Sequence, residues 1–172
     1  SEATVLVFHA SLGDRVARAA AALLLTLPGA AFIYQGDEIG MPDGPEGDPP
    51  VDRAGRDRHR NPMQWSPQPH GGFTTGEPWL PLIDPELRSV DDERRRPESL
   101  LHLYRRLIEL RRGLRGELEL LDSPPGLLAY RRGEHAVAVN LAERDARTPV
   151  SGAVVLATEP TDGALRPGGA IV

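Results

Sequence analysis

The residues of this chain that are best suited to chemistry lie in two short segments, 32–41 and 60–65. The first reads Phe-Ile-Tyr-Gln-Gly-Asp-Glu-Ile-Gly-Met, and the second reads Arg-Asn-Pro-Met-Gln-Trp. The guanidinium of Arg60 and the amide of Gln64 offer forked hydrogen-bond donors for hydroxyl groups, while Trp65 offers a flat apolar face. An apolar run that enters a glycine-bounded acidic turn, followed by such a loop, predicts one wall of a sugar-binding pocket.

Composition limits the possible classes of protein. The chain has 172 residues, enough for one ordinary domain or for part of one with a small second domain. Its net charge of -5 argues against a general affinity for nucleic acid. It has no cysteine, which excludes disulfides and thiolate metal sites and is compatible with a cytoplasmic location. Because His59 and His70 have no partners at metal-ligand spacing, we predict neither a metal nor a cofactor.

The first regular elements expected are a buried helix and a strand. Ser11 and Asp14 have the spacing of a capping box, and a helix over 15–27 follows, ended by a Pro-Gly pair. Its apolar run also has the length of a signal-peptide core, but no cleavage zone follows, so a buried helix is favoured. The continuous apolar run 30–34 predicts a parallel strand that is covered on both faces.

The next region predicts a long loop. Residues 42–97 are rich in Gly, Pro, Asp and Arg, which is typical of irregular structure. Aromatic and aliphatic residues within it indicate an ordered, partly packed loop rather than a disordered one. The charge run 88–96 is interpreted as a solvated connector.

The remaining sequence predicts one more helix and then a small sheet. A helix over 97–112 has Pro97 in its first turn and Gly113 as its terminator. The apolar period then changes to two, which predicts a small antiparallel sandwich of short strands. The predicted strands are 118–121, 127–131, 136–140, 153–157 and 170–172.

Several motifs occur in an order that is found in one enzyme family. They are Leu-Thr-Leu-Pro-Gly at 25–29, the segments 32–41 and 60–65, the helix 99–108, and Gly-Leu-Leu-Ala-Tyr-Arg-Arg-Gly at 126–133. Together they resemble the alpha-amylase superfamily, glycoside hydrolase family 13, and more closely its α-glucosidase and oligo-1,6-glucosidase branch. The resemblance covers roughly residues 15 to 172.

The resemblance implies an α/β plus all-β fold. The family has a (β/α)₈ TIM barrel followed by a β-sandwich, so residues 1–113 are expected to form the C-terminal end of the barrel and 114–172 the sandwich. The segment 32–34 resembles the last barrel strand. The family carries an Asn-His-Asp motif shortly before the first helix, and the stretch 8–14, Phe-His-Ala-Ser-Leu-Gly-Asp, does not match it.

The acidic residues present do not make a catalytic pair. Retaining hydrolysis of a glycoside needs two carboxyl groups that face each other about 5 Å apart. Asp37 and Glu38 are neighbours that point to opposite sides of an extended chain, so loop capping is the favoured role. Asp52 and Asp57 are interpreted as solvated charges. We therefore predict no catalytic residue, and we expect the chain alone to be inactive.

The candidate site residues follow from the resemblance. Arg60 is similar to the family's arginine that holds hydroxyls of the terminal glucose, and a structural ion pair is an equal alternative. Arg56 is the nearest competitor for this role. Loop packing is the favoured alternative for Gln64 and Trp65, and packing at the rim is an equal one for Tyr34 and Gln35. The predicted substrate-binding residues are Arg60, Gln64, Tyr34 and Gln35.

Two classes of function are compatible with this reading. In the first, the chain is the C-terminal portion of a retaining α-glucosidase-type enzyme whose substrate is an α-glucoside oligosaccharide. In the second, it is a non-catalytic, amylase-like protein that binds a sugar or stabilises a partner. A single barrel strand with apolar flanking elements cannot bury its own faces, which argues against the second class.

Overall fold

The computed structural model describes residues 13–47 and 49–172, and these form two compact units. One contains residues 13–32 and 103–172, and the other contains most of the chain between them. Ser11, the predicted capping residue, lies outside the described residues, as does His9. Within the part that is described, no helix is both long enough and apolar enough to cross a membrane.

The predicted helices are present with small changes at their ends. Helix α1 spans Asp14–Thr26 and buries a run of alanines and leucines. Helix α3 spans Leu100–Gly113 rather than beginning at Pro97. The later start has a local cause, because the Ser99 hydroxyl accepts a hydrogen bond from the backbone N–H of His102 at 3.4 Å and so caps the first turn.

One helix was not predicted. Helix α2 spans Val90–Arg95, within the charge run that was interpreted as a solvated connector, and that interpretation was wrong. Ser89 caps its first turn by accepting from the N–H of Asp92. Glu93 is buried, with its carboxylate paired with Arg96 and accepting from the N–H of Leu101. The missed signal was the Ser-x-x-Asp spacing at the start of the run.

The first unit is built on an antiparallel sheet. The strands are β1 Leu118–Leu120, β2 Leu127–Arg132, β3 His135–Asn140, β4 Ala146–Arg147, β5 Ala164–Leu165 and β6 Ala170–Ile171. One sheet has the strand order β1-β2-β3-β6, and β4 pairs with β5 in a second, two-stranded sheet. The common core consists of Leu127, Ala129, Ala138, Leu165 and Ile171.

Two predicted strands are absent, and two short ones were missed. Residues 30–34 form no strand, and their Phe32 and Ile33 side chains are exposed. A strand requires a hydrogen-bonded neighbour, and none of the described residues supplies one for this segment. Residues 153–157 contribute only an isolated bridge from Ala157 to Ile171. The missed strands, β4 and β5, have two residues each, which is too short to show a period.

The C-terminal end of α1 is held by polar side chains of the same unit. The Arg111 guanidinium donates to the carbonyls of Leu25 at 2.8 Å and Leu27 at 2.7 Å. The Tyr130 hydroxyl lies 2.5 Å from the Thr26 hydroxyl in the buried interior. Burial lowers the pKa of Arg111 and raises that of Tyr130. A cation near the last carbonyls of a helix also favours its dipole.

The other unit has little regular structure and a small core. Among the described residues of this unit, Asp37–Ile39 and Asp57–His59 form single 3₁₀ turns and precede α2. Pro69–Gly72 forms an irregular turn, in which His70 and Gly71 have positive φ. Ile39, Met63 and Val90 pack together as its core. This confirms the prediction that the long loop is ordered and partly packed.

Replacing Arg111 tests the cap on α1. We expect Arg111→Ala to lower the free energy of unfolding by about 2 kcal/mol, because the carbonyls of Leu25 and Gly29 lose their guanidinium donor. The Leu27 carbonyl keeps a longer contact, 3.4 Å, with Arg132. The neighbouring Arg112 is the matched control, since it is exposed and pairs with an exposed Glu109. Arg112→Ala should change stability by less than about 0.5 kcal/mol. Equal losses in urea-unfolding experiments would contradict the assigned role of Arg111.

Candidate functional site

A tight acidic turn presents Tyr34 and Gln35 at the surface. The Asp37 carboxylate accepts from the N–H of Tyr34 at 3.1 Å, and the Glu38 carboxylate accepts from the N–H of Gly36 at 2.9 Å. Gly36 has a positive φ of 92°. The two acids therefore cap this turn, as predicted, and their oxygens are occupied by backbone donors.

Asp57 organises the loop that precedes Arg60. It is buried, with 2% of its surface exposed, and its carboxylate accepts from the N–H groups of Val51 at 2.7 Å and Asp52 at 2.9 Å. The interpretation of Asp57 as a solvated charge was therefore wrong. The physical reason is that a carboxylate loses its hydrating water on burial, and here two backbone N–H groups take the place of that water.

Asp52 holds two arginines together at the surface of the same loop. Its carboxylate lies 2.6 Å from Nε of Arg56 and 3.2 Å from Nη1 of Arg60. The hydrogen bond from Arg56, then that from the N–H of Ala54, lowers the Asp52 pKa to about 2. About 39% of the Arg60 side chain is exposed. The interpretation of Asp52 as a solvated charge was therefore wrong, because two guanidinium groups take the place of solvent around its carboxylate.

The acidic turn and the segment 60–65 are joined directly. The Gln35 amide donates to the carbonyl of Asn61 at 3.1 Å. Asp52 raises the pKa of Arg56 through its hydrogen bond and its charge. The contact with Asn61 brings Gln35 next to the segment that begins at Arg60, and Tyr34 precedes Gln35 on the same turn.

A small cleft lies beside this junction. Its lining includes Tyr34, Gln35, Asp43, His59 and Asn61. The His59 ring nitrogen Nδ1 lies 2.8 Å from the Asp43 carboxylate. Oδ1 of Asn61 is buried without a hydrogen-bond partner among the described residues, as is Nε of the neighbouring Arg58. A hydroxyl can both donate and accept, so it matches this pair of groups.

Gln64 lies apart from these exposed donors. Its side chain is fully buried, its Nε2 donates to the carbonyl of Arg88 at 2.6 Å, and its Oε1 accepts from the N–H of Ile83 at 2.7 Å. Both ends of the amide are thus occupied by backbone. A sugar contact by Gln64 stays a prediction, and the observed contacts are those of a residue that closes the loop.

Sequence reasoning missed Asp43, His59 and Asn61 as members of the cleft. Asp43 and His59 are sixteen positions apart in an irregular loop, so no periodic pattern connects them. Asn61 was visible only as the neighbour of Arg60. Within the described residues, no group of three or more His, Cys, Asp and Glu side chains is placed to hold a metal ion.

The Asp52 ion pairs give a pH prediction. Because the folded pKa is lowered from 3.8 to about 2, the pairs contribute stability at neutral pH and lose it as the pH falls below 3.8 towards 2. Arg56→Ala should raise the Asp52 pKa towards 3.8, as followed by carboxyl NMR. Arg53→Ala, in the same exposed loop, should leave the Asp52 pKa unchanged. A pKa that does not respond to Arg56→Ala would contradict the pairing.

The role of Gln64 is tested by an apolar replacement of similar size. Gln64→Leu should lower the free energy of unfolding by about 2–3 kcal/mol, because a buried N–H and a buried carbonyl lose their partners. Gln68→Leu is the matched control, since Gln68 is exposed in the same loop. Urea unfolding measures both. Equal stabilities of the two variants would show that Gln64 does not close the loop.

Comparison with known proteins agrees with the sequence motifs. Residues 5–116 match the family described as Alpha amylase, catalytic domain. A glucan 1,6-alpha-glucosidase of Streptococcus pneumoniae is 30% identical over 82% of this chain and 33% of its own length. A trehalose synthase of Pimelobacter is 40% identical over 64% of this chain and 21% of its own length.

Solved structures show the same relationship. The trehalulose synthase MutB of Pseudomonas mesoacidophila superposes with a TM-score of 0.77 at 25% identity, over 92% of this chain and 38% of that one. The similar structures are TIM-barrel enzymes of glycoside hydrolase family 13, and the chain matches part of each. The chain spans between about a fifth and a third of the curated relatives named above.

Proposed function

The chain belongs to the alpha-amylase family, and we propose that it forms one wall of the sugar-binding pocket of a retaining α-glucosidase-type glycoside hydrolase. The proposed substrate is an oligosaccharide of α-linked glucose. Relatives named glucan 1,6-alpha-glucosidase and oligo-1,6-glucosidase support this substrate class. We also propose this glycoside hydrolase activity for the whole protein.

The observation that carries the proposal is the arginine pair held by Asp52. The Arg60 side chain is partly exposed, and its Nη1 lies 3.2 Å from the Asp52 carboxylate. An arginine that is oriented in this way presents rigid donors to vicinal hydroxyls. Tyr34 and Gln35 lie beside it on the acidic turn and add a ring and an amide to the same wall.

The carboxylates of the reaction are proposed to lie outside this chain. Asp37 and Glu38 accept from backbone N–H groups of their own turn. Asp57 is occupied by two backbone donors, and Asp52 is occupied by two arginines. Each of these four acids thus has a structural partner, whereas glycoside hydrolysis needs a pair of carboxyl groups that face the substrate.

We also propose a domain architecture and a cellular location for this chain. We place residues 1–113 at the C-terminal end of a (β/α)₈ barrel and residues 114–172 in a small β-sandwich. A cytoplasmic location is proposed from the absence of cysteine.

Binding by Arg60 is testable on the chain itself. We expect isomaltose to bind weakly and Arg60→Ala to reduce its affinity about tenfold, since charge-assisted hydrogen bonds are lost. Arg53→Ala removes an exposed arginine of the same loop and is the matched control. Chemical-shift titration of backbone amides measures both. Equal affinities for the two variants would contradict the role of Arg60 and favour a structural ion pair.

Catalysis is tested separately. The chain alone should release no p-nitrophenol from p-nitrophenyl α-glucoside above the uncatalysed rate, because the acids described above are occupied. Turnover that persists through purification and is lost in Asp52→Asn would overturn the assignment of the catalytic carboxylates to another part of the protein.

A further inference from the structure

Asp57 connects the two parts of the loop that carry Asp52 and Arg60. Its carboxylate accepts from the N–H groups of Val51 and Asp52, at 2.7 and 2.9 Å. Its own carbonyl accepts from the N–H of Arg60 at 2.9 Å, which closes the 3₁₀ turn Asp57–His59. One residue therefore sets the position of the Asp52 backbone relative to the Arg60 backbone.

Between these two ends, residues 52–56 form a turn that is held by its own contacts, and we refer to them as the Asp52 turn. The Asp52 carboxylate accepts from the N–H of Ala54 at 3.0 Å and pairs with Arg56. The Asp52 carbonyl accepts from the N–H of Gly55 at 2.9 Å. These contacts all lie within the turn, so they hold its shape and leave its position relative to Arg60 to other contacts.

The carboxylate of Asp57 is held tightly enough to set that position. A Cβ at Gly47 would lie 2.8 Å from Oδ2 of Asp57, so the Gly47 backbone packs closely against the carboxylate that holds Val51 and Asp52. Hydrogen bonds to an ionised group are stronger than those between neutral groups. A buried carboxylate with two such bonds resists displacement, because breaking them leaves buried polar groups without partners.

We propose that Asp57 is a positioning residue for sugar binding by Arg60. By holding the Asp52 turn in place, it keeps the Asp52 carboxylate 3.2 Å from Nη1 of Arg60 and so restricts the orientations of the guanidinium. A group that is already oriented loses less conformational entropy when it binds a hydroxyl, so the affinity is higher. The inference rests on the proposed function for its ligand, and it adds a buried residue that acts through Asp52 and Arg60.

The first experiment measures the affinity for isomaltose by chemical-shift titration of backbone amides. Asp57→Asn keeps the size of the side chain but turns an NH₂ group towards one of the two N–H donors, so one hydrogen bond is lost. We expect it to weaken binding about tenfold, as Arg60→Ala does. The double variant should bind no more weakly than either single variant, since both changes remove the same oriented contact. Glu46→Gln, which changes an exposed acid of the same loop, is the matched control and should leave the affinity unchanged.

The second experiment tests the position of the Asp52 turn without a sugar. The pKa of Asp52 is lowered mainly by the hydrogen bond from Arg56, then by that from Ala54, and the charge of Arg60 also contributes. Arg60→Ala should therefore raise the Asp52 pKa, as followed by carboxyl NMR. In the Asp57→Asn background the same change should have little effect, because the Asp52 turn is no longer held beside Arg60. A general loss of stability would not remove this coupling from a folded variant.

The outcomes separate the positioning role from the proposed function. Loss of the coupling between Asp52 and Arg60 in Asp57→Asn supports the role of Asp57, even if the chain does not bind isomaltose. Additive losses of affinity in the double variant overturn it. An Asp52 pKa that responds to Arg60→Ala equally in both backgrounds, or in neither, also overturns it. Gly47→Ala crowds the Asp57 carboxylate without removing a polar group, and it replaces Asp57→Asn in both experiments if that variant does not fold.

Discussion

The buried amide of Gln64 is the interaction on which the loop-rich unit depends. It joins the backbone at Ile83 to the backbone at Arg88, on either side of a tight turn. Gln64 belongs to the segment 60–65, so the proposed arginine wall depends on this support. A primary amide suits the position, because it donates and accepts at once without a charge that would have to be desolvated.

Two acidic residues of this unit have carboxylates with a structural rather than a catalytic role. Asp57 accepts backbone donors in the interior, while Asp52 stays at the surface and holds Arg56 and Arg60. Strong partners keep the Asp52 pKa low, which favours a permanent anion that orients cations. This is a different requirement from that of a catalytic acid, which must hold a proton near neutral pH.

The comparison of predicted and observed elements shows where local patterns were sufficient. Helix α1, most of α3 and the hairpin of β2 and β3 were predictable. In each of them, the spacing of the apolar residues and the residues at the ends of the element predict the same structure. Helix α2 was missed, since its charged residues hid a capping serine and a buried Glu93. The run 30–34 was predicted as a strand because it is apolar. A strand also requires a hydrogen-bonded neighbour, and a local sequence pattern does not show whether one is present.

The sequence by itself determined the family, through ordered motifs, and it placed Arg60, Tyr34 and Gln35 among the candidates. Only the tertiary structure decided how they are arranged. It joined Gln35 to Asn61, paired Arg60 with Asp52, and buried Gln64 with both ends of its amide occupied. The physical reason is that residue type sets which hydrogen bonds and charges are available, whereas burial and partners, which come from distant parts of the chain, set which of them remain free for a ligand.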